Sequence, residues 1–96
     1  MKKNDPVKRK YIRFKAELNT IIWISPSTDS YKPEFLGLVD GESHGGSSFT
    51  INQDINIQKG DFVLAKVGDL EPMMAEVRWI KKFEDSLFKY GLMYLE

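Results

Sequence analysis

The chain contains no cysteine and only one histidine, His44, among its 96 residues. Without cysteine there is no disulfide and no thiolate ligand for a metal ion. A single histidine also excludes zinc sites built from several histidines, and it weakens any proposal of a Ser-His-Asp triad. These absences favour a binding protein over an enzyme, and one that holds neither a metal nor a cofactor.

Long apolar segments are also missing. The longest uncharged apolar run is far shorter than the roughly 18 residues that a membrane-spanning helix needs. The charged start of the chain has no apolar stretch of the kind found in signal peptides. At 11.1 kDa there is room for one domain. We therefore expect a cytoplasmic protein of bacterial type with no membrane span.

Charge is balanced overall but unevenly placed along the chain. Residues 1–15 hold seven basic residues against Asp5 alone, a net charge of +6, whereas residues 16–96 carry −6. A basic arm of this kind commonly contacts nucleic acid, nucleotides or an acidic surface, and the alternative is a solvated terminus. We predict that residues 1–7 form a disordered basic arm and that residues 8–96 form one domain.

Short strands at regular spacing dominate the rest of the sequence. Apolar side chains alternate from Phe14 to Ile24, the period of a strand with one buried face. Ile21 and Trp23 add apolar groups on the other face, which predicts that the end of this strand is covered on both sides. Further strands are predicted at residues 35–40, 48–51, 62–67, 73–80 and 90–95. Five or six short strands without a long helix predict an all-β barrel or sandwich, and closing the sheet would hide its edges.

Both tryptophans fall on this strand pattern. Trp79 continues the alternation of Ala75 and Val77, which predicts that its indole faces the core. Trp23 has the same strand-compatible setting. Core packing is therefore the predicted role of both side chains, with stacking on a nucleotide base as the alternative.

Two motifs and the closing strands resemble the PilZ domain family. The segment KRKYIRF at residues 8–14 is similar to the family's RxxxR element with a basic residue ahead of it. The segment DGESHGGSSF at residues 40–49 is similar to the family's D/N-x-S-x-x-G element. The segments EVRWI at 76–80 and YGLMYLE at 90–96 resemble the last strands of that fold. The resemblance covers residues 8–96, and the order and spacing of the motifs are more specific than either motif alone.

The resemblance implies a small six-stranded antiparallel barrel with little or no C-terminal helix, which binds cyclic di-GMP at the barrel mouth. Carried over to this chain, the ligand-binding residues are Lys8, Arg9, Arg13, Asp40, Ser43 and Gly46, with Lys10, Glu42, His44 and Gly45 as further candidates for ligand contact. The implied role is a bacterial signalling receptor or adaptor that converts the second-messenger level into altered protein contacts, with an output such as motility or biofilm formation.

The second motif departs from the family pattern in its register. If Ser43 and Gly46 take the Ser and Gly positions, Asp40 stands one residue early, which implies a one-residue insertion after it. The alternative register fits Asp40 and Gly45 but puts Glu42 at the Ser position. We favour the first, because the run S-H-G-G then matches a form common in the family. Glu42 is then either a second acceptor or a charge that repels phosphate. The alternative without a ligand is that the loop is an ordinary glycine-rich turn.

The same residues suit a cyclic dinucleotide chemically. The planar fork of arginine makes two charge-assisted hydrogen bonds to a phosphate, and it also matches the N7 and O6 acceptors of guanine. Arg9 and Arg13 are four positions apart, so their side chains share one side of an extended segment or of a helical turn. The Ser43 hydroxyl and the Asp40 carboxylate suit the N1 and N2 donors of guanine. We predict that the arm becomes ordered when the ligand binds.

Three functions remain open from the sequence alone. The leading one is a cyclic di-GMP receptor that acts on an unidentified protein partner. The second is a PilZ-like adaptor that binds no nucleotide and acts only through protein partners. This function is favoured by the displacement of Asp40 from its motif position and by the additional negative charge of Glu42. The third is a single-stranded nucleic-acid binder, which the basic arm favours and the acidic body opposes. An enzyme is not predicted, because the one adjacent carboxylate pair, Glu84-Asp85, falls in a predicted turn.

Overall fold

The computed structural model describes residues 11–12, 16–43, 46–84 and 86–95. Over these residues the chain is all-β, and six antiparallel strands close into a barrel, as the sequence predicted. The strands are β1 Ile21–Ser25, β2 Phe35–Ser43, β3 Gly46–Ile51, β4 Phe62–Val67, β5 Met73–Glu84 and β6 Leu87–Tyr94. Their order around the barrel is β1-β2-β3-β6-β5-β4, with β4 paired to β1. The described residues include no helix with the length and hydrophobicity that a membrane span requires.

Alternate residues of each strand point inward and fill the barrel. Phe49 and Tyr90 stack at the centre, with ring centroids 5.3 Å apart, and neither side chain is exposed. The irregular segment between β3 and β4 adds Ile55 and Ile57 to this core, as predicted. The barrel therefore forms a single packed interior, and any ligand must bind to its outer surface or its ends.

The first strand is shorter than the alternation from Phe14 to Ile24 predicts. Phe14 lies outside the described residues. The chain turns at Leu18 and Asn19, and Asn19 adopts a φ of 67°, a conformation that asparagine tolerates better than most residues. Because this turn interrupts the alternation, Leu18 is 60% exposed and β1 begins only at Ile21.

The prediction that the end of β1 is covered on both faces is wrong. Ile21 and Trp23 are 49% and 38% exposed, while Ile22 and Ile24 are fully buried. In a closed barrel one face of every strand meets the core and the other faces outward, and nothing among the described residues covers this part of the outer face. Trp23 is therefore a surface residue and does not pack in the core.

The two hairpins are longer than predicted. β2 continues past Asp40 to Ser43, and β3 begins at Gly46, so that strand pairing reaches almost to the turn. The β5–β6 hairpin likewise continues past its predicted ends, to Glu84 on β5 and from Leu87 on β6. The turn-forming residues in these segments predict that the strands end early. In the structure the strands continue, because hydrogen bonds with the neighbouring strand override the local preference of these residues.

Two register shifts decide which side chains face outward near the predicted site. Pairing between β2 and β3 shifts just after Val39, which makes Asp40 the extra residue of a β-bulge. Pairing between β5 and β6 shifts just after Val77, which makes Arg78 the extra residue. A bulge offsets the alternation of the residues beyond it. Trp79 therefore lies on the outer face, and its predicted place in the core is wrong.

Candidate ligand-binding surface

The structure describes only part of the predicted site. Lys8, Arg9, Lys10, Arg13, His44 and Gly45 lie outside the described residues. Asp40 and Ser43 are on β2, and Ser43 pairs with Gly46 on β3. Glu42 pairs through its backbone with Ser47. The second motif is therefore a β-hairpin whose two strands belong to the barrel wall.

Asp40 has three polar partners on the outside of the barrel. Ser48 Oγ donates to Asp40 Oδ1 at 2.9 Å, and Thr50 Oγ1 donates to Oδ2. The Lys89 ammonium group lies 3.4 Å from Oδ2. A carboxylate oxygen has two lone-pair sites; Oδ2 already has two partners, and Oδ1, with Ser48 alone, retains capacity for one further donor. Asp40 thus holds its bulge in place and still presents an acceptor to the surface.

A row of small residues crosses the outer face beside Asp40. Through successive backbone pairs it runs from Gly41 to Ser48, then to Gly91 and Trp79. The Trp79 indole lies on Gly91, where an added Cβ atom would be 2.2 Å from indole Nε1. From β2 to β5 this outer row spans three inter-strand spacings, roughly 14 Å along the sheet. An aromatic ring thus stands at one end of the outer row and a carboxylate at the other.

Tyr11 joins the N-terminal segment to this part of the barrel. Its backbone forms a bridge with Leu95, and its hydroxyl donates to Glu76 Oε1. The Arg78 guanidinium lies 5.7 Å from the centre of the Tyr11 ring and 3.7 Å from Glu76 Oε1. The hydrogen bond to Glu76, together with desolvation, raises the pKa of the Tyr11 hydroxyl. Tyr11, which lies within the first motif, is therefore anchored on β5 at Glu76 and Arg78.

Gly46 has a structural reason to be glycine. A Cβ atom there would lie 1.8 Å from the carbonyl oxygen of Leu92, so any side chain would push β3 away from β6. The neighbouring Ser47 points inward, and its hydroxyl lies 2.6 Å from the Tyr94 hydroxyl inside the barrel. Burial raises the pKa of Tyr94. These contacts set the position of the hairpin that carries the second motif.

Sequence reasoning missed Ser48, Thr50 and Lys89 as partners of Asp40 and missed Trp79 as a surface aromatic. The alternation of Ser48 and Thr50 around the apolar Phe49 is a signal for two outward hydroxyls on β3. No comparable local signal identifies Lys89 or Trp79, since their positions depend on pairing between strands far apart in the chain.

Comparison of the chain with protein-family models, with curated proteins and with solved structures found no match. No cluster of three or more acidic or histidine side chains suited to a metal ion occurs within the described ranges.

Proposed function

We propose that the protein is a cyclic di-GMP receptor of PilZ type that passes the signal to a protein partner. The observation that carries the proposal is the position of Tyr11. This residue lies within the first motif and contacts Arg78, next to Trp79 on β5. Trp79 in turn lies in the same outer row as the second motif, which begins at Asp40.

The outer row offers the groups that a cyclic dinucleotide requires. The Trp79 indole is an aromatic surface for a guanine base, and such stacking contributes about 1–3 kcal/mol per base. The free site on Asp40 Oδ1 is an acceptor for an N1 or N2 donor of guanine. Arg9 and Arg13 supply charge-assisted hydrogen bonds to the two phosphates. In this proposal residues 6–15 close over the row when the ligand binds, which alters the surface and charge that a partner meets.

The β-bulge at Asp40 supports the register chosen for the second motif. That register requires one extra residue after Asp40. The bulge absorbs one residue between Val39 and Gly41, directly before the position of that insertion, and the pairing of Ser43 with Gly46 is retained beyond it. The acidic group also stays on the outer face, where Ser48 contacts it. The irregular motif is therefore compatible with the same ligand chemistry.

Calorimetric titration of the full chain with cyclic di-GMP tests the proposal. We expect saturable binding with a Kd of roughly tens of micromolar or tighter. Linear 5′-GMP is the control ligand, because it carries one base and one phosphate and can occupy only half of the site. The absence of any heat or spectral change in this concentration range would overturn the proposal.

Exposed apolar side chains on β1 and β2 favour a second candidate function, an adaptor that acts through protein contacts without nucleotide. Ile21 pairs with Leu38, and Trp23 pairs with Leu36. All four side chains lie on the outer face and are 38–49% exposed. Contiguous apolar surface of this kind marks interaction sites, and here it suits an apolar face of a partner protein.

The two candidate functions differ in their response to nucleotide. Partner capture should require cyclic di-GMP if the chain is a receptor, and should be the same with and without it if the chain is an adaptor. Trp23→Ser should abolish nucleotide-independent capture, whereas Leu70→Ser should not. Leu70 is a matched control because it is 48% exposed but lies in the turn between β4 and β5. Self-association through the β1–β2 face would appear as a dimer in sedimentation that Trp23→Ser removes.

A further inference from the structure

Two lysines face each other directly on the outer surface of the β5–β6 hairpin. Lys81 on β5 pairs with Lys89 on β6, two positions along each strand from the pair formed by Trp79 and Gly91. Because alternate residues of a strand share a face, both lysines lie on the same side as the Trp79 indole. Like charges directly opposite each other in a ladder are destabilising. The barrel therefore maintains an unfavourable pair next to the outer row.

The positive charge of this pair is only partly compensated. Lys89 lies 3.4 Å from Asp40 Oδ2, but Asp40 also accepts hydrogen bonds from Ser48 and Thr50. Among the described residues no carboxylate forms an ion pair with Lys81. Its ammonium group lies 5.9 Å from the centre of the Phe83 ring instead. Asp40 therefore compensates the charge of Lys89 only, and the positive charge of Lys81 remains available.

We propose that Lys81 and Lys89 form an anion-binding pair that takes a phosphate group of the ligand stacked on Trp79. This inference rests on the proposed function and adds a phosphate contact from the barrel itself to those from the basic arm. Each ammonium group has three donors, and lysine binds phosphate as a point charge. A phosphate between the two groups would also remove their mutual repulsion. The pair is thus placed to bind the anionic part of a nucleotide whose base lies on the indole.

A charge reversal at Lys81 distinguishes direct binding of a phosphate by Lys81 from the long-range attraction of any positive charge. Lys81→Glu should weaken cyclic di-GMP binding, and it should also raise the melting temperature because a carboxylate then faces Lys89 across the ladder. Lys82→Glu is the matched control with the same change of charge one residue away. Lys82 pairs with Phe88 and faces the opposite side of the hairpin, where its ammonium group lies 5.9 Å from the centre of the Phe88 ring.

Titration at about 150 mM salt, where distant charges are screened, gives the deciding comparison. We expect Lys81→Glu to weaken binding at least about tenfold, as for loss of one charge-assisted contact. Lys82→Glu should weaken binding less than about threefold, because only screened long-range attraction is lost. Equal effects of the two variants would overturn the inference and leave the proposed function standing.

A second probe keeps the inference testable if the wild-type chain does not bind cyclic di-GMP. In that case the proposed function fails, and the nitrogen-15-labelled protein is titrated with inorganic pyrophosphate. Shifts of the Lys81 and Lys89 amide signals that disappear in Lys81→Glu and persist in Lys82→Glu would support an anion-binding pair. The absence of shifts at these two residues would overturn it.

Discussion

The Trp79 indole lies directly on the backbone of Gly91, across the ladder between β5 and β6. A Cβ atom on Gly91 would be 2.2 Å from both Cε2 and Nε1 of the indole, which no real packing allows. The bulge at Arg78 brings the indole to the outer face, and the missing side chain of Gly91 leaves room for it. These three residues therefore depend on one another.

Gly91→Ala should destabilise the barrel by about 1–3 kcal/mol, because the added methyl group forces the indole from its place. Urea denaturation measures the change in the free energy of unfolding. The same substitution should cost much less in a Trp79→Ala background, where the clashing atoms are absent. An equal loss of unfolding free energy in the two backgrounds would mean that a contact other than Trp79 requires glycine at position 91.

Asp40→Ala should destabilise the barrel by about 1–3 kcal/mol, because the nearly buried Ser48 hydroxyl loses its acceptor and Lys89 loses its ion pair. Asp40→Asn should cost less, since the amide oxygen still accepts one hydrogen bond. Asp29→Ala, at an exposed site, should change stability by less than about 0.5 kcal/mol. Chemical denaturation distinguishes these cases, and an Asp40→Ala variant as stable as Asp29→Ala would contradict the prediction.

The buried hydroxyl of Tyr94 should make the barrel sensitive to alkaline pH. Burial raises the pKa of Tyr94 in the folded state, so the folded protein keeps a proton that the unfolded chain has lost. This contribution to stability is complete below the unfolded pKa of about 10 and is lost as the pH rises through the folded pKa. The free energy of unfolding should therefore fall above pH of about 10, and less steeply in Tyr94→Phe. Parallel curves for the two proteins would contradict this assignment.

Arg9→Ala and Arg13→Ala should each weaken cyclic di-GMP binding by roughly 2–4 kcal/mol, because each removes a charge-paired contact to phosphate. Lys32→Ala removes one positive charge from the loop between β1 and β2 and should leave the affinity almost unchanged. Calorimetry with the three variants measures these effects. If the wild-type chain binds cyclic di-GMP and both arginine variants bind it with the same affinity, the first motif is not part of the site.

Strand β4 and the segment before it are features of the fold that local sequence patterns predict correctly. The strand at Phe62–Val67 was predicted with both ends correct, because apolar residues alternate between two glycine-containing turns. Ile55 and Ile57 were also predicted to be buried, and they are. For the candidate site, the sequence identified Asp40 and the hairpin that follows it, since acidic and glycine-rich patterns are visible without knowledge of strand pairing.

The sequence by itself determined that the chain is all-β and that five or six short strands alternate in polarity, because period-two patterns and turn residues act locally. It left a barrel and a sandwich both open, and the structure decided for the closed barrel. Only the tertiary structure decided that Trp79 faces outward and that Lys89 meets Asp40. The physical reason is that a one-residue bulge offsets the alternation, and that pairing between distant strands, not local preference, selects where a bulge forms.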